Sequence, residues 1–223
     1  MVRSWQGVVW ILVAAMAIAV AVGVVGAKRV ESAPEDGTVA APPAAAVALP
    51  PAGAGVRLSE ILAGPARDWD GDGVFDARGD EWLEIQNVGT AVVALEEFRV
   101  ADADTTIRYT LSGTLSPGAM LLLTGSAAMA WQRSAGRTVT GLSLNNAGDT
   151  VLLLRVAGAD TTVVDAHTYG SIEGASDRST GRVDSVSEDW ALYDALNPYT
   201  GSGTPPGTGC APTPGGANGC TTD

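Results

Sequence analysis

The chain has 223 residues, with 13 Lys and Arg against 25 Asp and Glu, a formal net charge of −12. That field opposes a polyanion, so the folded part is not expected to bind nucleic acid or an anionic membrane surface. The single histidine, His167, rules out an HExxH or three-histidine zinc site within the chain, and any Ser-His-Asp triad has to use it.

In chain order, Val8 to Ala27 is an uninterrupted apolar run of 20 residues, preceded by Arg3 and Trp5 and followed by Lys28 and Arg29. At about 1.5 Å rise per residue it covers the ~30 Å hydrocarbon core, so residues 1–29 read as a single membrane anchor. The competing reading is a cleaved signal peptide, favoured by Arg3 and the small-residue string Val25-Gly26-Ala27. Residues 30–55 carry prolines at 34, 42, 43, 50 and 51 among many alanines and form an extended linker.

From residue 56 onward, short runs rich in Val, Leu, Ile, Thr and Trp recur between Gly, Asp, Asn and Pro punctuation. The strands expected are Val56–Leu62, Glu81–Val88, Ala91–Leu95, Phe98–Ala101, Thr106–Leu111, Ala119–Thr124, Thr150–Val156, Thr162–Tyr169 and Asp189–Tyr193. Two helical turns are expected at Ala127–Arg133. Nine short strands in one sheet cannot bury their apolar faces, so the expected fold is an all-β sandwich. Within Glu81 to Gln86, alternation puts Trp82, Glu84 and Gln86 on one face and Leu83 and Ile85 on the other. Glu60 and Glu84 are expected to face outward. Met120 to Leu123 reads as a strand covered on both faces.

Between the first two strands lies an acidic insertion at 67–81. Asp68, Asp70, Asp72, the carbonyl of Val74, and Asp76 stand at loop positions 1, 3, 5, 7 and 9, with Gly73 at the sharp turn of position 6. These are the first nine positions of a calcium loop. Position 12 is Gly79, without a carboxylate, so Asp80 or Glu81 has to close the shell. Flexible oxygen donors in this number suit Ca²⁺ better than Mg²⁺, and without an ion the carboxylates repel one another.

Cys210 and Cys220 bracket a Pro- and Gly-rich loop within the tail, residues 200–223. No His or third Cys is near to make a metal site. The pair therefore reads as a disulfide and places the domain in an oxidising compartment, outside the cytoplasm.

Several strings together resemble the lamin tail domain family. They are Leu58-Ser59-Glu60-Ile61, Asp80 through Gly89, Leu115-Ser116-Pro117-Gly118, Leu142 through Val151, Val164-Asp165, Tyr169-Gly170, Ser176-Asp177-Arg178, Trp190, and Thr213-Pro214-Gly215 with Asn218. The resemblance spans about residues 56–219 and implies an Ig-like β-sandwich of the kind found in nuclear lamins and in bacterial secreted or surface proteins. The acidic insertion and the disulfide loop depart from the family pattern. Arg178 is expected either to pair with Asp165 or Glu60 across a sheet edge or to be exposed.

These residues bear on three functions. A non-catalytic, calcium-stabilised interaction or adhesion module outside the cytoplasm, membrane-tethered or secreted, accounts for the resemblance, the linker and the cysteines. A structural envelope component acting by self-association differs from it only in its partner. A metal-dependent hydrolase needs an acid or base beside the aspartates, and His167 is about 90 residues away on a strand, where a lone histidine is expected at the surface or edge. The chain is read as no enzyme. Its partner is a protein, a glycan or a wall polymer; Trp69, Trp82, Trp131 and Trp190 are candidates for a glycan-stacking platform, although core positions are the commoner place for Trp in a sandwich.

Overall fold

The structure, a computed structural model, describes residues 55–220. The apolar run 8–27 and the linker up to residue 54 lie outside the described residues. Among the described residues no helix is long and apolar enough to cross a membrane.

The strands are β1 (Val56–Leu62), β2 (Trp82–Asn87), β3 (Val93–Ala94), β4 (Phe98–Ala101), β5 (Ile107–Thr110), β6 (Thr114–Leu115), β7 (Met120–Thr124), β8 (Gly148–Ala157), β9 (Asp160–Gly170), β10 (Ser179–Arg182) and β11 (Trp190–Tyr193), with one helix, α1 (Gly125–Ser134). One sheet runs β11-β10-β1-β2-β7, a second runs β5-β4-β8-β9, and β3-β6 is a small separate ladder. All named strand pairs are antiparallel. This is the all-β, Ig-like arrangement expected, and Leu58, Ile61, Leu83 and Ile85 meet Val100, Val151 and Leu153 in one apolar core.

Local sequence explains the departures. In β1 the register slips between Leu58 and Glu60, which pair with Ile85 and Glu84. Ser59 is thus the extra residue of a bulge that keeps Leu58 and Ile61 both on the core side. The β8–β9 hairpin turns through Gly158, whose φ of 64° suits a residue without Cβ. Helix α1 is longer than Ala127–Arg133 because Thr124 caps it, its hydroxyl accepting from the Ala127 amide at 3.2 Å. A Cβ on Gly125 would lie 1.7 Å from the Arg78 carbonyl oxygen, so the helix start and the end of the acidic loop can touch only through glycine.

Several expectations are corrected. Glu60 and Glu84 do not face outward: both are fully buried. The face opposite the core is covered by the 213–218 segment. β7 is not covered on both faces but is a half-buried edge strand with only Leu123 fully inside. Strands β6 and β10 carry no apolar pattern that would mark them in advance. Arg178 is neither exposed nor paired with a carboxylate; its guanidinium donates to the carbonyls of Ile172 and Asn197 and lies over the Tyr199 ring. Asp165 is held by Arg182 instead.

Candidate functional site

The acidic loop joins β1 to β2 and is tied down at its base. Asp177, itself at a φ of 50°, accepts from the Ala66 amide, Arg67 Nε and Trp69 Nε1, each at 2.9 Å. Burial alone would raise the Asp177 carboxyl, but these donors more than offset it and hold it below the ordinary carboxylate value. Trp69 meets the fully buried Trp82 edge to face at 6.0 Å.

Asp80 is the hub of the loop. One of its oxygens accepts from the Trp69 and Asp70 amides at 2.7 and 3.1 Å, and the other from the Asp76 amide at 2.7 Å. Asp68 accepts from the Gly71 and Gly73 amides at 2.7 and 2.8 Å. Both glycines have positive φ, 77° and 87°, which lets the chain curl round that carboxylate. The loop brings one oxygen each of Asp68, Asp70 and Asp80 within 4.8 Å of one another. Asp80 is buried and Asp68 exposed.

The remaining expected ligands are placed differently. Asp72 and Asp76 accept from the Val74 and Arg78 amides and are outside the group of three. Val74 is exposed beside an exposed Phe75 at the loop's tip. Glu81 immediately precedes β2 and its carboxylate is outside the group of three. It accepts from the Leu144 amide at 3.2 Å. Burial pushes its carboxyl up to about 8.

His167 lies on the edge strand β9 and is largely covered. Its ring stacks on Trp190 at 3.5 Å, and its Nε2 is 3.2 Å from Glu173 and 3.4 Å from Thr180 Oγ1. A nucleophile relay needs hydroxyl and carboxylate on opposite ring nitrogens. Here both meet the same nitrogen, so the trio is not a triad. A cleft of ≈ 640 Å³ beside it is lined by His167, Glu173, Asp189, Trp190, Pro205 and Pro206, among others. The four tryptophans considered as a platform do not share a surface: Trp131 meets Tyr109, Trp190 meets His167, and Trp69 meets Trp82.

Cys210 and Cys220 are joined, with Cα atoms 4.9 Å apart. The loop they close lies on β1 and β2. Thr213 donates through its amide and hydroxyl to Glu60, the hydroxyl at 2.6 Å; the Gly215 amide donates to Glu84; and Asn218 Nδ2 donates to the carbonyls of Ser59 and Arg182 at 3.0 and 2.8 Å. The tail is therefore held on the sheet by polar anchors as well as by its cross-link. Buried carboxylates supply polar anchors that a scan for apolar side chains does not register.

A family model described as Lamin Tail Domain matches residues 50–171. The match covers the strands through β9 and the acidic loop, and stops before β10, β11 and the cross-linked tail. No curated protein and no solved structure gave a match.

Proposed function

Because the chain belongs to the lamin tail domain family, an Ig-like and non-enzymatic one, we propose that it acts as an interaction module outside the cytoplasm, with a calcium-stabilised loop. The observation that supports this reading is the convergence of Asp68, Asp70 and Asp80 on one point at the end of the sandwich. Asp68, Asp70 and the Asp80 oxygen that accepts only from the Asp76 amide each keep a free lone pair, and three charges this close favour a divalent cation of the oxygen-binding kind. Asp72, the Val74 carbonyl and Asp76 are the next donors along the same loop.

The Cys210–Cys220 cross-link favours an oxidising compartment. Residues 8–27 supply either the tether to a membrane or the signal that sends the domain across it. The partner in this reading is a protein, a glycan or a wall polymer.

Calorimetric titration of the full-length protein tests the proposal. Calcium should bind about once per chain with a Kd of ~10⁻⁴ to 10⁻³ M, and Asp70→Ala should abolish the heat. The same flat trace from both proteins would reduce the loop to a hydrated turn.

A further inference from the structure

We propose that the disulfide-closed loop of the tail is a pH-operated strap, seated on Glu60 and Glu84 in acid and neutral solution and lifting from them as the solution becomes alkaline. The geometry puts two carboxylates side by side. Glu60 on β1 and Glu84 on β2 are direct cross-strand partners, and both are fully buried. The cover is the strap itself, through Thr213, Gly215 and Asn218. Gly181 on β10 makes room for it, since a Cβ there would meet Asn218 Nδ2 at 2.9 Å and Glu60 Cγ at 3.1 Å.

The two carboxylates are satisfied unequally. Glu60 accepts from Ser179 and from both donors of Thr213. Glu84 accepts only from Gly215 among the described residues, and its second oxygen is buried without a partner. Among the described residues no cation pairs with either carboxylate. The groups around the pair are Ser179 on β10, Tyr193 on β11, Leu122 opposite Glu84 on β7, and the strap. The nearby Arg182 gives its guanidinium to Asp165, Glu188 and main-chain carbonyls and only its carbonyl to the strap. Asp184, which lines a small cavity beside Asn218, is also negative, and Arg57 lies against it rather than against the pair.

Two full charges in this position would repel in a poorly solvated site. Burial, with Glu60 beside it and the Gly215 amide opposing, pushes Glu84 up to about 8; burial likewise raises Glu60 against the Ser179 and Thr213 donors. Tyr193 is pushed up to about 12 and titrates too late to act as the trigger. With the strap lifted, Glu84 is hydrated and returns toward its ordinary 4.5. The seated state therefore holds a proton that the lifted state releases. Seating is strongest below the ordinary value and is lost as pH rises through about 8. The disulfide keeps the lifted segment a closed loop tethered at both ends, so the motion need not unfold the sandwich.

The test is amide exchange of the full-length, oxidised protein from about pH 6 to about pH 9.5, corrected for the intrinsic pH dependence of exchange, together with carbon NMR of the Glu84 carboxyl. Thr213 and Gly215 protection should fall by about tenfold per pH unit from pH 6 up to the Glu84 transition and level off above it, the break coinciding with the midpoint of the carboxyl signal. Glu84→Gln, which keeps an acceptor for Gly215, should flatten the strap response, and Glu81→Gln, whose carboxylate bonds Leu144 away from the strap, should leave it in place. Flat wild-type protection, a midpoint unrelated to the Glu84 signal, or an identical fall in folded Glu84→Gln would overturn the proposal. If Glu84→Gln does not fold, the coincidence or separation of the two wild-type midpoints decides.

Discussion

Arg182 on β10 holds Asp165 on β9 through bonds of 2.9 Å from Nη2 to both carboxylate oxygens, and so joins the two sheets of the sandwich. Both side chains are almost fully buried, 3% and 4% exposed. Asp165 also accepts from the Leu58 amide at 2.8 Å, and Arg182 donates to the Leu58 carbonyl at 2.9 Å, which fixes β1 beside the pair. Arg182→Leu leaves a carboxylate buried without its cation. The expected loss is about 3–5 kcal/mol, read from the urea midpoint, against much less for the exposed pair Arg155 and Glu97.

This pair also marks what the sequence could and could not convey. The bounds of β1 and β4 follow from apolar runs between turn residues, and the order of elements through β9, apart from β6, is legible in the sequence. Strand β10, Ser179-Thr180-Gly181-Arg182, was not, because its burial rests on partners distant in sequence: Ser179 on Glu60 and Arg182 on Asp165. Glu60 and Glu84 were misread for the same reason. Alternation assigns a side chain to a face of a sheet, but the cover on that face comes from residues 213–218. At the acidic loop three of the aspartates singled out, Asp68, Asp70 and Asp80, come within 4.8 Å of one another.

Stability should decline from mildly acid to alkaline pH. Glu81 is pushed up to about 8 by burial, with the Leu144 and Ser143 amides only partly offsetting it. A carboxyl whose folded value lies above its ordinary 4.5 contributes stability in full below 4.5 and loses it as pH rises through the folded value. The slope is about 1.4 kcal/mol per pH unit for each such group across that window. Urea midpoints at pH 5.5 and 8.5 should therefore differ in the wild type, and Glu81→Gln, which still accepts from Leu144, should shrink the difference. A midpoint that rises with pH would contradict the burial of Glu81.

Calcium should raise the melting temperature of the full-length protein. With a Kd at the tighter end, ~1 mM ion adds roughly 1.4 kcal/mol, or about 3–6 °C for a domain of this size. Asp70→Ala should remove the increment with little change in chelator. Asp80→Ala should lower stability by about 1–3 kcal/mol even in chelator, because three amides lose their acceptor. Equal melting temperatures with and without calcium in all three proteins would leave Asp80 a purely structural hub.

The cross-link and the polar anchors of the tail should separate in a double mutant. Cys210 and Cys220 are 10 positions apart, and closing so short a loop removes about 2.8 kcal/mol of unfolded-chain entropy. Replacing both by serine should therefore cost about 2–3 kcal/mol while the sandwich from Val56 to Tyr193 stays folded. The Ala195 amide still donates to the Cys210 carbonyl position, Thr208 still bonds the Leu192 carbonyl, and Thr213 still reaches Glu60, so the strap should remain seated at pH 6. Thr213→Val in the oxidised protein should instead cost about 1–2 kcal/mol by leaving Glu60 short of a donor. Amide exchange of residues 211–219 distinguishes the two: protection at pH 6 should survive loss of the cysteines and weaken in Thr213→Val. Complete loss of that protection in the serine double mutant would show that the covalent bond, and not Glu60, holds the tail on the sheet.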